Sequence, residues 1–221
     1  MDIVSVLLVV TGLIATIGTV SFGIPQAVKV TRDRAAEGVS QTTWWLALAI
    51  CWPWGAYGFK SGDWFLLVTN VVAALVAIWV LAACNPGRTW RVLLRAAVMS
   101  AVAVVVLTLA PANVLIIVAT ATLVASRAPQ LILLFRVQAA KDVSIATWWL
   151  SLLTGASWTV YGLLKADPVI YVANGIATTM TIAIVVRLLI FQKSSGRASS
   201  EKSDGLDPDG KTQEKPNSEN L

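Results

Sequence analysis

The chain has 221 residues, 57% of them hydrophobic and 13% charged, with a net charge of +5 and a mean hydropathy of +0.73. That is too apolar for an ordinary water-soluble domain. Two cysteines and no histidine leave no metal-ligand set and no imidazole base, and no Ser/His/Asp set, phosphate-binding loop or dinucleotide fingerprint is present. The chain therefore does not read as an enzyme, and neither a metal nor a cofactor is expected.

Uncharged runs occupy residues 3–28, 38–59, 64–87, 96–126, 143–164 and 168–186. Each is long enough to cross about 30 Å of hydrocarbon as a helix. The first predicts a helix over 3–28, too long and too poor in basic residues at its start to be a cleavable signal peptide. The second predicts a helix over 40–59 with Ser40 as N-cap, and the third one over 64–84, begun by Asp63. The run 96–126 exceeds one span, and Pro111-Ala112-Asn113 divides it into helices over 92–110 and 113–137. The sixth helix, 144–164, has Ser144 as N-cap, and the seventh, 168–190, follows Asp167. Cys51 lies within the second helix and Cys84 at the end of the third, so a disulfide is not expected. Residues 193–221 are rich in Ser, Gly, Asp and Lys without apolar periodicity, and predict a disordered tail.

Charge orients the seven spans. Lys29, Arg32, Arg34, Arg88, Arg91, Arg95, Arg127, Arg136, Lys141, Arg187, Lys193 and Arg197 fall at one set of helix ends, and only Lys60 and Lys165 at the other. Basic residues mark the cytoplasmic side, which puts the N-terminus outside and the C-terminus in the cytoplasm. The positive charge thus reflects topology, and no nucleic-acid partner is expected.

The chain repeats itself. Residues 25–80 and 129–184, offset by 104, are identical at 20 of 56 positions without a gap. The matches include Pro25/Pro129, Gln26/Gln130, Ser40/Ser144, Trp44/Trp148, Trp45/Trp149, Trp54/Trp158, Tyr57/Tyr161, Gly58/Gly162, Asp63/Asp167 and Asn70/Asn174. Apolar bias alone does not align Trp, Tyr, Asp and Asn in register, so a three-helix unit is duplicated. The intervening fourth helix sets both units the same way up, with an axis along the membrane normal. The expected division is 1–86, first repeat; 87–111, linker helix; 112–192, second repeat; 193–221, tail.

The pattern P-Q, a basic loop, V-S-x-x-T-W-W, W-x-x-Y-G-x-x-x-x-D and a later Asn resembles the PQ-loop superfamily, and the 3+1+3 layout resembles the SWEET sugar transporters and their half-size SemiSWEET relatives. The resemblance covers roughly residues 3–190. It implies an all-α integral membrane protein with two parallel three-helix repeats, of the kind established for SWEETs. It also implies transport of a small neutral mono- or disaccharide down its gradient by alternating access.

Physical chemistry and resemblance together assign roles. Pro25 and Pro129 each remove a helical hydrogen bond, and with Gln26 and Gln130 they form paired hinges. Asn70 and Asn174, costly in hydrocarbon unless paired, and Trp54 and Trp158, mid-span and able to stack on a sugar's C–H face, form a two-fold-related binding site. Ile50 and Thr154, four residues before each Trp, trim it. Tyr57, Asp63, Tyr161 and Asp167 form the extracytoplasmic gate. The other four paired Trp fit an interfacial belt.

Two departures stand out. Arg127 occupies the place of Gly23, and Pro53 that of Ser157, for which no functional account is offered. Arg127 supports an alternative, a PQ-loop carrier of an amino acid or organic anion. A further alternative is a non-transporting receptor or scaffold of the same fold. The expected setting is a bacterial plasma membrane, with sugar and lipid as the only required partners, since two repeats complete a pathway without oligomerisation.

Overall fold

The computed structural model describes residues 2–33, 39–136 and 145–204, and every regular element among them is helical. The elements are α1 (Ile3–Ser21), α2 (Ile24–Asp33), α3 (Gln41–Ser61), α4 (Trp64–Ala83), a 3₁₀ turn (Pro86–Arg88), α5 (Thr89–Leu109), α6 (Ala112–Arg136), α7 (Ile145–Leu164) and α8 (Pro168–Asp204). Among the described residues four stretches are long and apolar enough to cross a membrane: Ile3–Asp33, Trp64–Ala83, Pro86–Leu109 and Pro168–Ile190.

The starts and stops follow local chemistry. Asp2, Ser40 and Asp63 cap α1, α3 and α4, each side chain accepting a hydrogen bond from the backbone N–H three residues on. Gly62 closes α3 in the left-handed region at φ 68°, where glycine carries no Cβ penalty. At the equivalent position of the second repeat stands Ala166, held at φ 53°. Ser144, the expected cap of α7, lies outside the described residues.

Two boundaries differ from expectation. The first predicted helix is interrupted: α1 ends at Ser21 and α2 begins at Ile24, so the chain breaks ahead of Pro25. Gly23 lies at that break and is packed so closely that an added Cβ would meet Val76 Cγ1 at 2.5 Å and Trp44 at 3.2 Å. The second copy behaves differently, because the backbone of α6 passes Pro129 and Gln130 without interruption. At the other end, α8 continues to Asp204, so residues 193–204 are helical rather than disordered. Residues 205–221 of the expected tail lie outside the described residues.

Packing follows the repeat. α4 packs against both α1 and α3, and α8 against both α6 and α7; the halves meet along α1–α7 and, less extensively, along α3–α6. α5 rests on α3 and α4. The two seams differ in side-chain bulk. On α1–α7, Gly18 faces Thr154 so closely that a Cβ would fall within 2.2 Å of Thr154 Oγ1. The matching positions on α3–α6 are Ile50 and Thr122, a bulkier pair.

Within each repeat the glycine of W-x-x-Y-G brings two backbones together. A Cβ at Gly58 would lie 2.7 Å from the Leu67 amide nitrogen, and one at Gly162 2.6 Å from that of Tyr171. The outer faces of α1 and α5 expose long rows of Ile, Leu and Val. An apolar surface of that extent is a lipid-facing surface.

Candidate functional site

The halves enclose a cavity of about 340 Å³. All six residues expected to bind solute line it: Ile50 and Trp54 from α3, Asn70 from α4, Thr154 and Trp158 from α7, and Asn174 from α8. Arg127 lines it as well. The volume falls in the range of small-molecule sites, which run from about 300 to 1,000 Å³.

The two Asn are held alike. Asn70 Nδ2 donates to Leu66 O at 2.8 Å, and Asn174 Nδ2 to Ile170 O at 2.9 Å. Each amide spends one donor on the preceding turn of its own helix, which fixes its rotamer. One N–H and the carbonyl oxygen remain for a solute, the combination that suits a hydroxyl.

The two Trp are held differently. Both are buried, at 4% and 6% exposure. Trp158 Nε1 donates to Thr19 Oγ1 of α1 at 3.1 Å. The residue equivalent to Thr19 is Leu123, which cannot accept, and Trp54 Nε1 is buried with no hydrogen-bond partner. A buried indole N–H without an acceptor costs about 1–3 kcal/mol, so Trp54 brings a free donor to the wall of the cavity.

One end of the cavity is shut. Tyr57 Oη of the first repeat donates to both carboxylate oxygens of Asp167 at 3.0 Å, and Tyr161 Oη of the second to both oxygens of Asp63 at 3.0 Å. The pairs cross between the halves, as a two-fold relation requires. Asp63 is 1% exposed, caps α4 through the Leu66 N–H and also binds Lys165 Nζ at 2.7 Å. Asp167 caps α8 through the Val169 and Ile170 amides. Edge-on contacts of Tyr161 with Trp158 and Phe65, at 5.6 and 5.8 Å between ring centres, back the closure with aromatic bulk. Lys60, the other basic residue at this end, donates to Ala110 O at the end of α5.

The opposite end is open. The cavity shares Phe22, Ser126, Arg127 and Ser151 with a second hollow of about 230 Å³ that reaches Thr147 and Trp148 in the first turn of α7. The expected hinges border this end. Pro25 and Gln26 sit just beyond the α1–α2 break; Gln26 makes no side-chain hydrogen bond among the described residues, so it does not serve the carbonyl that Pro25 frees. The side chains of Pro129 and Gln130 lie outside the described residues. Cys51, a free thiol, also lines the cavity.

Sequence reasoning missed Thr19, Cys51, Thr69, Ser126, Ser151 and Gly155 as lining residues. The signal was present in the helical period: Ala47, Ile50, Cys51 and Trp54 recur every three or four residues, and Ser151, Thr154, Gly155 and Trp158 repeat the same face 104 residues later.

This is the architecture of a carrier-like membrane bundle: two repeats around a central polar-studded cavity, closed at one end. Comparison with known proteins narrows the class. A family profile described as "Sugar efflux transporter for intercellular exchange" matches residues 98–196. The chain is 34% identical over 74 residues to "Sugar transporter SemiSWEET" of Escherichia coli (strain UMEA 3162-1), a match that covers 34% of this chain and 83% of that protein. Its fold superposes on that of a eukaryotic SWEET transporter with a TM-score of 0.72 at 15% identity, covering 87% of this chain and all of the other. The chain belongs to the SWEET/SemiSWEET sugar transporter family, and is a multi-pass membrane protein.

Proposed function

We propose that the chain carries small neutral sugars, mono- or disaccharides, down their gradient by alternating access. The observation that carries this reading is the relation of cavity to gates. Tyr57–Asp167 and Tyr161–Asp63 close one end, the other end is continuous with an open hollow, and Asn70, Asn174, Trp54 and Trp158 lie between.

In this reading the basic helix ends face the cytoplasm, the N-terminus lies outside, and the state is inward-open with its extracytoplasmic gate shut. Seven spans are arranged 3+1+3, with residues 1–86 and 112–192 as parallel repeats and 87–111 as the linker. The Asn amides bind hydroxyls and the indoles pack on the sugar's C–H faces. Rocking of one half against the other breaks the crossed pairs, while the α1–α2 break beside Pro25, together with Pro129, closes the far end. Among the described residues acidic side chains occur only at helix ends, at the N-terminus and in the polar extension of α8, so solute moves by uniport without proton coupling. The setting is a bacterial plasma membrane, and one chain suffices for a pathway.

The test is saturable uptake of radiolabelled glucose and sucrose into proteoliposomes by wild type and by Asn70→Ala/Asn174→Ala. At least one sugar enters saturably with wild type, and the double variant loses that component. Equal uptake by both proteins would remove the two Asn from the site.

A further inference from the structure

The repeat makes Arg127 more than an isolated departure. Three cavity-lining residues of the first repeat, Phe22, Gly23 and Ala47, have Ser126, Arg127 and Ser151 as their equivalents in the second. All three replacements add polarity, and all three converge on the junction between the cavity and the open hollow. Identical halves would have placed apolar residues at these three positions on both sides. The mouth instead carries Phe22, Gly23 and Ala47 from the first repeat and a cation and two hydroxyls from α6 and α7 of the second.

Arg127 is also held in place. Its Nη1 donates to Ser126 Oγ at 2.7 Å, and Ser126 Oγ donates in turn to Leu123 O at 2.7 Å. Ser126 therefore acts as a positioning residue that accepts from the guanidinium and is anchored to the helix. Arg127 Nε is buried with no hydrogen-bond partner. Among the described residues no Asp or Glu lines either hollow, and the one ion pair is Lys165–Asp63, at the far end. A guanidinium in a membrane interior is costly unless an opposite charge or water meets it.

We infer that Arg127 is a recognition site for a carboxylate carried by the solute, so that the cavity, besides neutral sugars, also takes sugar acids, hydroxylated monocarboxylates, and binds them more tightly. The inference rests on the sugar-carrier reading, extending its substrate range. The guanidinium's fork of N–H donors matches a carboxylate bidentately, while Asn70, Asn174 and Trp54 supply the polar groups for the hydroxyls. One cation is neutralised by one monoanion. A phosphate monoester, which carries close to two charges, would leave excess negative charge in a site with no second cation among the described residues.

The test compares D-glucuronate with D-glucuronamide, which replaces the carboxylate by a neutral amide of similar shape, and with D-glucose. Affinities are measured on purified wild-type protein in nanodiscs. Glucuronate is expected to bind at least about tenfold more tightly than glucuronamide, and glucose 6-phosphate more weakly than glucuronate. In Arg127→Gly, which installs the first repeat's residue, the glucuronate-to-glucuronamide ratio falls to about one. Equal affinities in wild type overturn the inference without needing a variant, as does a preference that survives in Arg127→Gly. Tightest binding of glucose 6-phosphate overturns the choice of a carboxylate. Absence of binding or uptake for every sugar tested would instead remove the sugar-carrier reading beneath it.

Discussion

Lys165 Nζ lies 2.7 Å from Asp63 Oδ2, across the interface between the halves, yet the position equivalent to Lys165 is Ser61, whose hydroxyl turns back to Tyr57 O at 2.8 Å. This end of the bundle is thus symmetric in its Tyr–Asp pairs and asymmetric in its charge. Asp63 answers to Tyr161, Lys165 and the Leu66 amide, whereas Asp167 answers to Tyr57 and the amides of its own helix. Hydrogen bonds to a charged group contribute about 1.5–3 kcal/mol each, so the Asp63 side holds the closed state more strongly. Cys51 offers a natural reporter inside the cavity. In a Cys84→Ser background, Tyr57→Phe should raise labelling of Cys51 by an impermeant thiol reagent from the gated side by about tenfold. Tyr161→Phe/Lys165→Ser should raise it further. Equal effects of the two would show that Lys165 contributes nothing to closure.

The seam between α1 and α7 depends on the absence of a side chain at Gly18. Gly18→Ala places a methyl against Thr154, a β-branched residue with little rotamer freedom whose hydroxyl is tied to Leu150 O. Overpacking of this kind costs about 1–3 kcal/mol. Thermal unfolding in detergent should show Gly18→Ala destabilised and Gly18→Ala/Thr154→Ala largely restored. Additive losses in the double variant would mean that the two residues do not meet.

Ala166 sits at φ 53°, where its equivalent is Gly62 at φ 68°. The left-handed region costs a residue with a Cβ about 1–2 kcal/mol. Ala166→Gly should therefore raise the melting temperature, by the equivalent of about 1 kcal/mol after the added flexibility of the unfolded chain is discounted. Gly62→Ala should lower it. A fall in Ala166→Gly would show that this turn does not hold the backbone described.

Thr19 holds one Trp of the pair, and nothing holds the other. Thr19→Val removes the acceptor of Trp158 Nε1 while keeping the volume, and should cost about 1–3 kcal/mol in unfolding measurements. Leu123→Thr offers the equivalent acceptor to Trp54. It should weaken sugar binding if the free indole N–H serves the solute, and unchanged affinity would assign Trp54 to packing alone.

How much of this was legible beforehand depended on which residues carry information locally. The duplicated W-x-x-Y-G and Asn pointed to Trp54, Trp158, Asn70 and Asn174, because polar groups in hydrocarbon have few reasons to exist and here each occurs twice, while Ile50 and Thr154, which differ between the repeats, followed from their spacing four residues before each Trp. The recurrence of Tyr and Asp in both repeats was legible, and the structure hydrogen-bonds Tyr57 to Asp167 and Tyr161 to Asp63, a pairing across the halves that the sequence did not specify. The interruption at Phe22–Gly23 was not legible. Pro25 announces a disturbance, but its form depends on Val76 and Trp44, which lie far along the chain and close in space. The asymmetry of the indoles was equally hidden, since it turns on Thr19 and Leu123, two unremarkable residues until packing sets each beside a Trp. The continuation of α8 to Asp204 shows composition misjudging a polar segment attached to a packed helix.

In the proposed cycle one cavity serves both sides of the membrane in turn. Counterflow of radiolabelled glucose or sucrose in proteoliposomes preloaded with the same unlabelled sugar tests it most directly. An alternating-access carrier predicts a transient accumulation of label above its equilibrium level, abolished in Asn70→Ala/Asn174→Ala. Label that rises only to equilibrium would mean a continuous pore, and no entry of either sugar, from folded protein, would contradict the sugar-carrier account.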